Sequence, residues 1–101
     1  MLTSLSSVLT KAQHGRYAVG AFNINNLETL QAMMDAATAE RAPIILQTSE
    51  GALAYAGMEE LAALAHLAAK RTNLPVVFHL DHGKDYDLVI KGVKSGFYTS
   101  V

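Results

Sequence analysis

Apolar residues lie in four short runs along this chain, and the stretches between the runs repeat apolar positions every three or four residues. The runs predict strands over residues 17–23, 43–48, 75–80 and 97–101. The second and third runs are almost continuously apolar, which is typical of strands buried on both faces of a parallel sheet. The pattern therefore predicts an α/β fold built on parallel strands.

Helical periodicity fills the stretches between the strands. The predicted helices are one that ends at Gly15, one over residues 27–37, one over residues 58–70, and one that begins near Tyr86 and ends at Gly96. Asn25 is expected to cap the second helix, because Glu28 follows it at the spacing of a capping box. The predicted order is an N-terminal helix followed by β-α-β-α-β-α-β.

The spacing of the strands suggests a larger architecture. The strands begin about 27 residues apart on average, so eight such units would need roughly 210 residues, near the lower limit of a (β/α)8 TIM barrel. Residues 1–101 would then be the N-terminal portion of a single barrel domain, about its first half. A four-stranded open α/β sheet fits the same pattern. Because unpaired edges of a parallel sheet invite further pairing, we expect the chain to be incomplete relative to its architecture, or to self-associate.

Composition narrows the class of protein. The net charge is −1 and no basic cluster occurs, so binding to nucleic acid is not expected. The chain has no cysteine, which excludes disulfides and thiolate ligands, and its four histidines limit any metal site to His, Asp and Glu donors. Neither a secretory leader pattern nor an apolar run of membrane-spanning length is visible. A cytoplasmic protein that does not bind membranes is the expectation.

Polar clusters follow three of the predicted strands, over residues 23–26, 48–51 and 81–83. In parallel α/β folds the carboxyl ends of the strands meet at one edge, where ligands bind. Asp81 there could exchange a proton with a substrate hydroxyl, and the His82 imidazole could bind zinc. On this dipeptide alone, a helix-capping aspartate beside an ordinary loop histidine is the favoured interpretation.

The other polar residues have equally plain alternatives. Ser49 could bind a substrate hydroxyl or phosphate, or it could simply form a turn, and Asn23 could contact a ligand or cap a helix. Glu50 is expected to be a solvated loop carboxylate and His79 a core residue. Because a catalytic zinc usually has three protein ligands and no further ligand stands at a suitable spacing from His82, these residues do not make a complete zinc site.

Taken in order, the clusters resemble the class II fructose-bisphosphate aldolase family. Residues 17–26, 42–52 and 79–83 carry the resemblance, and residues 95–101 are similar to the start of the family's next strand. The resemblance implies a (β/α)8 barrel that reversibly cleaves fructose 1,6-bisphosphate, a reaction of glycolysis, to dihydroxyacetone phosphate and glyceraldehyde 3-phosphate. It also implies Zn²⁺ as the Lewis acid, a phosphorylated sugar as the substrate and a homo-oligomeric assembly.

The resemblance assigns four residues to the site. Asp81 matches the catalytic acid/base and His82 the first zinc ligand, while Ser49 and Asn23 match substrate-binding residues. The remaining zinc ligands and the phosphate-binding loops of the family have no counterpart in residues 1–101. Tagatose-bisphosphate aldolase, which shares this chemistry, is the close alternative. If the protein ended at Val101, a non-catalytic half-barrel that dimerises through its open edge would be expected instead.

Overall fold

The computed structural model describes residues 1–101 and contains a three-stranded parallel sheet with five helices. The strands, in the spatial order β1-β2-β3, are Ala21–Asn23, Ile44–Thr48 and Val76–Leu80. The helices are α1 (Leu5–Gly15), α2 (Leu27–Glu40), α3 (Glu50–Ala56), α4 (Met58–Lys70) and α5 (Tyr86–Ser95). The predicted parallel α/β order is therefore present, because each strand pairs in parallel with the strand before it.

Strands β2 and β3 are buried on both faces, as their continuous apolar runs predict. Ile44, Leu46 and Phe78 lie on the face covered by α2 and α4, in one cluster with ten buried members. The alternate residues Ile45 and Val77 lie on the opposite face, where Val8 of α1 packs against them. Because side chains of a strand point alternately to its two faces, this two-sided cover explains why the polar residues of these strands lie only near their carboxyl ends.

The first and last predicted strands are shorter than the sequence indicates. Residues 17–20 do not join β1, and residues 97–101 form no strand, with one parallel bridge from Ser100 to His79. For residues 97–101 the cause is a local side-chain contact. The Thr99 Oγ1 accepts the hydrogen bond of the Phe78 N–H at 3.0 Å, so a side chain takes the donor that the next rung of a ladder would need.

One helix was not predicted, and two helix ends differ from expectation. Residues 50–56, for which the sequence predicted no helix, form α3, because the Ser49 Oγ accepts the Ala52 N–H at 3.2 Å and so starts a helix there. The N-cap of α2 is Asn26, whose Oδ1 accepts the Thr29 N–H at 2.9 Å, and not Asn25. Gly15, which the sequence indicates as the C-terminal cap of α1, is instead the last residue of that helix, and the cap is Arg16 in the left-handed conformation.

None of the five helices combines the length and the apolar character needed to span a membrane.

Candidate active site at the carboxyl edge of the sheet

The three strands end side by side and bring their polar residues to one edge of the sheet. Asn23 is the last residue of β1, Thr48 the last of β2, and Asp81 follows the last residue of β3. The Asp81 N–H donates a hydrogen bond of 2.9 Å to the Thr48 carbonyl, so parallel pairing continues one residue beyond β3. Asp81 therefore leaves the sheet from a fixed backbone position.

The carboxylate of Asp81 is held by a glutamine that sequence reasoning did not single out. The Gln47 Nε2 donates to the Asp81 Oδ2 at 3.1 Å and to the Asn23 Oδ1 at 2.6 Å. One side-chain amide thus links residues at the carboxyl ends of all three strands. Gln47 lies within β2, opposite Asn23 on β1 and His79 on β3. The alternation of strand side chains was the available indication, because it places Gln47 on the same face as Asn23.

Two imidazoles approach the same carboxylate. The His82 Nε2 lies 3.2 Å from the Asp81 Oδ2, and the His79 Nε2 lies 3.9 Å from the Asp81 Oδ1. His79 is fixed by its other ring nitrogen, which is 2.8 Å from the Ser100 Oγ. It is 19% exposed and borders the site, so its expected place in the core is wrong. The Oδ1 atom of Asp81 has no hydrogen-bond donor within hydrogen-bonding distance and is the oxygen left free to take up a proton.

Solvent reaches both members of the Asp81–His82 pair. The Asp81 side chain is 26% exposed and the His82 side chain 66% exposed. Asp81 does not cap the following helix, because the N-cap of α5 is Asp85. The capping interpretation, which the dipeptide alone favoured, is therefore wrong, and the Asp81 carboxylate is available to a ligand.

Ser49 and His82 line the same small polar cleft. The cleft has a volume of about 220 Å³ and is lined by Ser49, Glu50, Gly51, His82 and Lys84. The Ser49 Oγ already accepts a hydrogen bond as the cap of α3, but its own O–H remains a possible donor. Glu50 is not a solvated loop carboxylate, because its Oε1 accepts the Asp85 N–H at 2.9 Å.

The donor chemistry at His82 fits zinc only in part. A neutral imidazole is a common zinc ligand, and the His82 ring is exposed, with its Nε2 3.2 Å from the Asp81 Oδ2. No group of three or more His, Asp or Glu side chains in residues 1–101 could hold a metal ion. These residues therefore offer one ligand of a zinc site and not the complete set.

The parallel βα order, with a fixed carboxylate and an imidazole at the carboxyl edge of the strands, is the arrangement of a segment of the (β/α)8-barrel class. Within that class, the chain belongs to the class-II fructose-bisphosphate aldolase family, whose model matches residues 3–101.

Curated relatives bear the same family name. The chain is 44% identical to a fructose-bisphosphate aldolase of Thermus caldophilus over 101 residues, which is all of this chain and 32% of that protein. It is 41% identical to the fructose-bisphosphate aldolase of Helicobacter pylori over 102 residues, which is 33% of that protein. The chain thus spans about a third of the length of these relatives.

A solved structure supports the fold. The YdjI aldolase from Escherichia coli K12 superimposes with a TM-score of 0.87 at 26% identity, over 95% of this chain and 38% of that one. The three strands and five helices described here are therefore a segment of an aldolase TIM barrel, which confirms the fold expected from the sequence and sets aside the open four-stranded sheet.

Proposed function

We propose that this chain provides one part of the active site of a zinc-dependent aldolase that cleaves fructose 1,6-bisphosphate to dihydroxyacetone phosphate and glyceraldehyde 3-phosphate. In this proposal Asp81 is the acid/base, His82 is a zinc ligand, and Ser49 and Asn23 contact the substrate. The observation that carries the proposal is the Asp81 carboxylate, held by Gln47 at the carboxyl edge of the sheet with the His82 imidazole 3.2 Å away. The membership of the aldolase family supports it.

Aldol cleavage needs a base for a hydroxyl that lies beta to a ketone. In the cleavage direction Asp81 takes the proton of the C4 hydroxyl, and the C3–C4 bond breaks as the C4–O bond becomes the carbonyl of glyceraldehyde 3-phosphate. The electron pair of the broken bond stays with the ketone fragment as an enediolate, and its C3 carbon takes a proton from a second acid to give dihydroxyacetone phosphate. In the condensation direction Asp81 returns the same proton to the C4 oxygen. The free Oδ1 of Asp81 suits this role, because Gln47 occupies the other oxygen.

Zinc held by His82 would act as a Lewis acid on the ketone of the substrate. His82 presents an exposed ring to the cleft that Ser49 also lines, so a metal bound there would lie beside the substrate-binding residue. The Ser49 hydroxyl and the Asn23 amide are polar groups of the kind that bind a sugar hydroxyl or a phosphate oxygen.

The proposal is tested by the cleavage of fructose 1,6-bisphosphate and of tagatose 1,6-bisphosphate by the purified complete enzyme, of which residues 1–101 are one segment, with zinc supplied. Cleavage of the fructose substrate at the higher kcat/KM, lost on chelation and regained with zinc, is the expected result. A preference for the tagatose substrate would indicate that the enzyme is a tagatose-bisphosphate aldolase. Cleavage that survives complete removal of metal would contradict the zinc-dependent mechanism.

The same family membership supports a cytoplasmic homo-oligomer as part of the proposal. Light scattering after size-exclusion chromatography measures the assembly, and a mass equal to a single subunit would contradict the proposed oligomer.

A further inference from the structure

The backbone turn that carries His82 has an unusual conformation. His82 has a φ of 69° and Gly83 a φ of 66°, and the Gly83 N–H donates a hydrogen bond of 3.0 Å to the Asp81 carbonyl. Residues with side chains seldom adopt a positive φ, and such a conformation persists only where the surroundings hold it in place. The contacts at the two ends of this turn therefore decide where the His82 imidazole points.

Both ends of the turn are hydrogen-bonded to residues 48–50, where β2 ends and α3 begins. At the first end, the Asp81 N–H donates to the Thr48 carbonyl at 2.9 Å. At the second end, the Asp85 N–H donates to the Glu50 Oε1 at 2.9 Å. The second contact is the only hydrogen bond that a side chain of residues 49–51 makes to residues 82–85, and its acceptor is charged, which makes it stronger than a neutral hydrogen bond.

Glu50 is itself well placed to act as an anchor. It is half-buried in the first turn of α3, directly after the capping Ser49, and a negative charge is favourable at that end of a helix. Its partner Asp85, two residues beyond Gly83, is the N-cap of α5, so the contact also fixes where α5 begins. The anchor thus joins a helix start on one side of the cleft to a helix start on the other.

We propose that Glu50 is a positioning residue that fixes the turn between β3 and α5 and thereby holds His82 in the conformation that binds the metal. Glu50 and His82 line the same polar cleft of about 220 Å³, which places the anchor next to the group that it orients. The metal-holding part of this inference rests on the proposed function, whereas the contact between Glu50 and the turn stands on the geometry alone.

The test compares three variants of the complete protein. Glu50→Ala is expected to weaken zinc binding about tenfold, because the turn loses a charge-assisted hydrogen bond. Glu50→Gln keeps an oxygen that can accept the Asp85 N–H and should bind zinc within about threefold of the unsubstituted protein. Glu28→Ala removes the first-turn glutamate of α2, which is exposed and bonds to no other element, and should change nothing. Competition with a chromogenic chelator measures the three affinities.

Hydrogen exchange separates this inference from the proposed function. In the metal-free protein the amides of residues 82–85 should exchange about tenfold faster in Glu50→Ala than in the unsubstituted protein or in Glu28→Ala. Equal exchange in all three proteins would contradict the anchor itself. Unchanged zinc affinity in Glu50→Ala, or a loss in Glu50→Gln as large as in Glu50→Ala, would overturn the positioning role. An unsubstituted protein that binds no zinc contradicts the proposed function and the metal-holding part of the inference together.

Discussion

Gln47 determines the orientation of the carboxylate on which the proposed chemistry depends. Its side-chain amide donates two hydrogen bonds to side-chain oxygen atoms at the ends of the neighbouring strands, one to Asn23 and one to Asp81. A carboxylate fixed in this way keeps one oxygen engaged and one free, and it need not be ordered again each time a substrate binds. At the scale of single residues, the orientation of the Asp81 carboxylate therefore depends on the geometry of its hydrogen bond from Gln47.

Replacing Gln47 should slow catalysis with little effect on folding. Gln47→Leu keeps the volume of the side chain but removes both hydrogen bonds, so kcat is expected to fall between about tenfold and 100-fold, with a small change in KM. Steady-state kinetics on the zinc-loaded protein measure the effect. Gln31→Leu makes the same substitution on the exposed side of α2 and should leave kcat unchanged. A normal kcat in Gln47→Leu would show that Asp81 needs no such support.

The sequence indicated the right neighbourhood at this scale, but not the contacts within it. Asn23, Asp81 and His82 were expected at one edge because each follows a predicted strand, and the structure brings them there. Gln47 was not singled out and His79 was expected in the core, because both lie within strands whose other residues are mostly apolar. The distances that join Gln47 to Asp81 depend on the register of β2 against β3, which a single sequence does not specify.

At the scale of helices and strands, short polar side chains decide where elements begin. Ser49 and Asn26 each accept a hydrogen bond from the backbone N–H three residues later, and a helix starts at each. Ser and Asn side chains at this spacing also form turns, so the sequence did not predict α3, and it placed the cap of α2 one residue too early. Helices α4 and α5, whose apolar periodicity is longer and clearer, were predicted almost to the residue.

A pair of neighbouring asparagines tests the cap of α2. Asn26→Ala should lower the free energy of unfolding by about 1 kcal/mol, because the Thr29 N–H loses its side-chain acceptor. Asn25→Ala is the matched control and should change stability by less than about 0.5 kcal/mol. Urea unfolding followed by circular dichroism measures both values. A larger loss in Asn25→Ala would return the cap to the residue that the sequence first suggested.

The hydroxyl groups of Thr48 and Tyr98 join β2 to the segment after α5, and this contact should make the stability of the protein depend on pH. The Thr48 Oγ1 lies 2.8 Å from the Tyr98 Oη, and the Tyr98 ring stacks on Phe78. Burial raises the pKa of Tyr98 above its ordinary value of 10.0, and the hydrogen bond to Thr48 opposes that shift. Since the unfolded chain then loses its proton first, this contribution to stability is complete below pH 10.0 and is lost as the pH rises from there through the folded-state pKa.

Chemical denaturation between pH 9 and 11.5 tests this linkage, a range of about one to two units on either side of the ordinary tyrosine pKa. The unsubstituted protein should lose stability across the upper part of that range, and Tyr98→Phe should show a shallower loss. Tyr55→Phe is the control, because Tyr55 is 77% exposed, and should keep the original slope. An identical slope in Tyr98→Phe would assign the alkaline loss to other groups.

At the scale of the whole molecule, residues 1–101 correspond to about a third of their aldolase relatives. Three strands of a barrel bring together an acid/base candidate and one metal ligand, while a zinc site needs further donors. The repeated βα spacing fitted both this barrel segment and an open sheet, and the resemblance to the aldolase family favoured the barrel. It overestimated the number of strands, since residues 97–101 pair with β3 through a single bridge.

The incomplete ligand set leads to a prediction for the 101-residue chain on its own. It should bind zinc weakly, lose it on dialysis against a chelator, and show no measurable cleavage of fructose 1,6-bisphosphate, because His82 lacks the two partners that a catalytic zinc usually has. Atomic absorption and a coupled aldolase assay check both properties. Stoichiometric, chelator-resistant zinc with turnover would show that these residues complete a site by themselves or through self-association.

The most direct measurement of the division of labour between Asp81 and His82 determines zinc content and cleavage rate together in two variants of the complete enzyme. Asp81→Asn is expected to keep its zinc and to lose kcat by about 100-fold to 10,000-fold, the usual contribution of a general acid/base. His82→Ala is expected to lose the metal and the activity together. Near-normal cleavage by Asp81→Asn, or full zinc retention by His82→Ala, would contradict these roles.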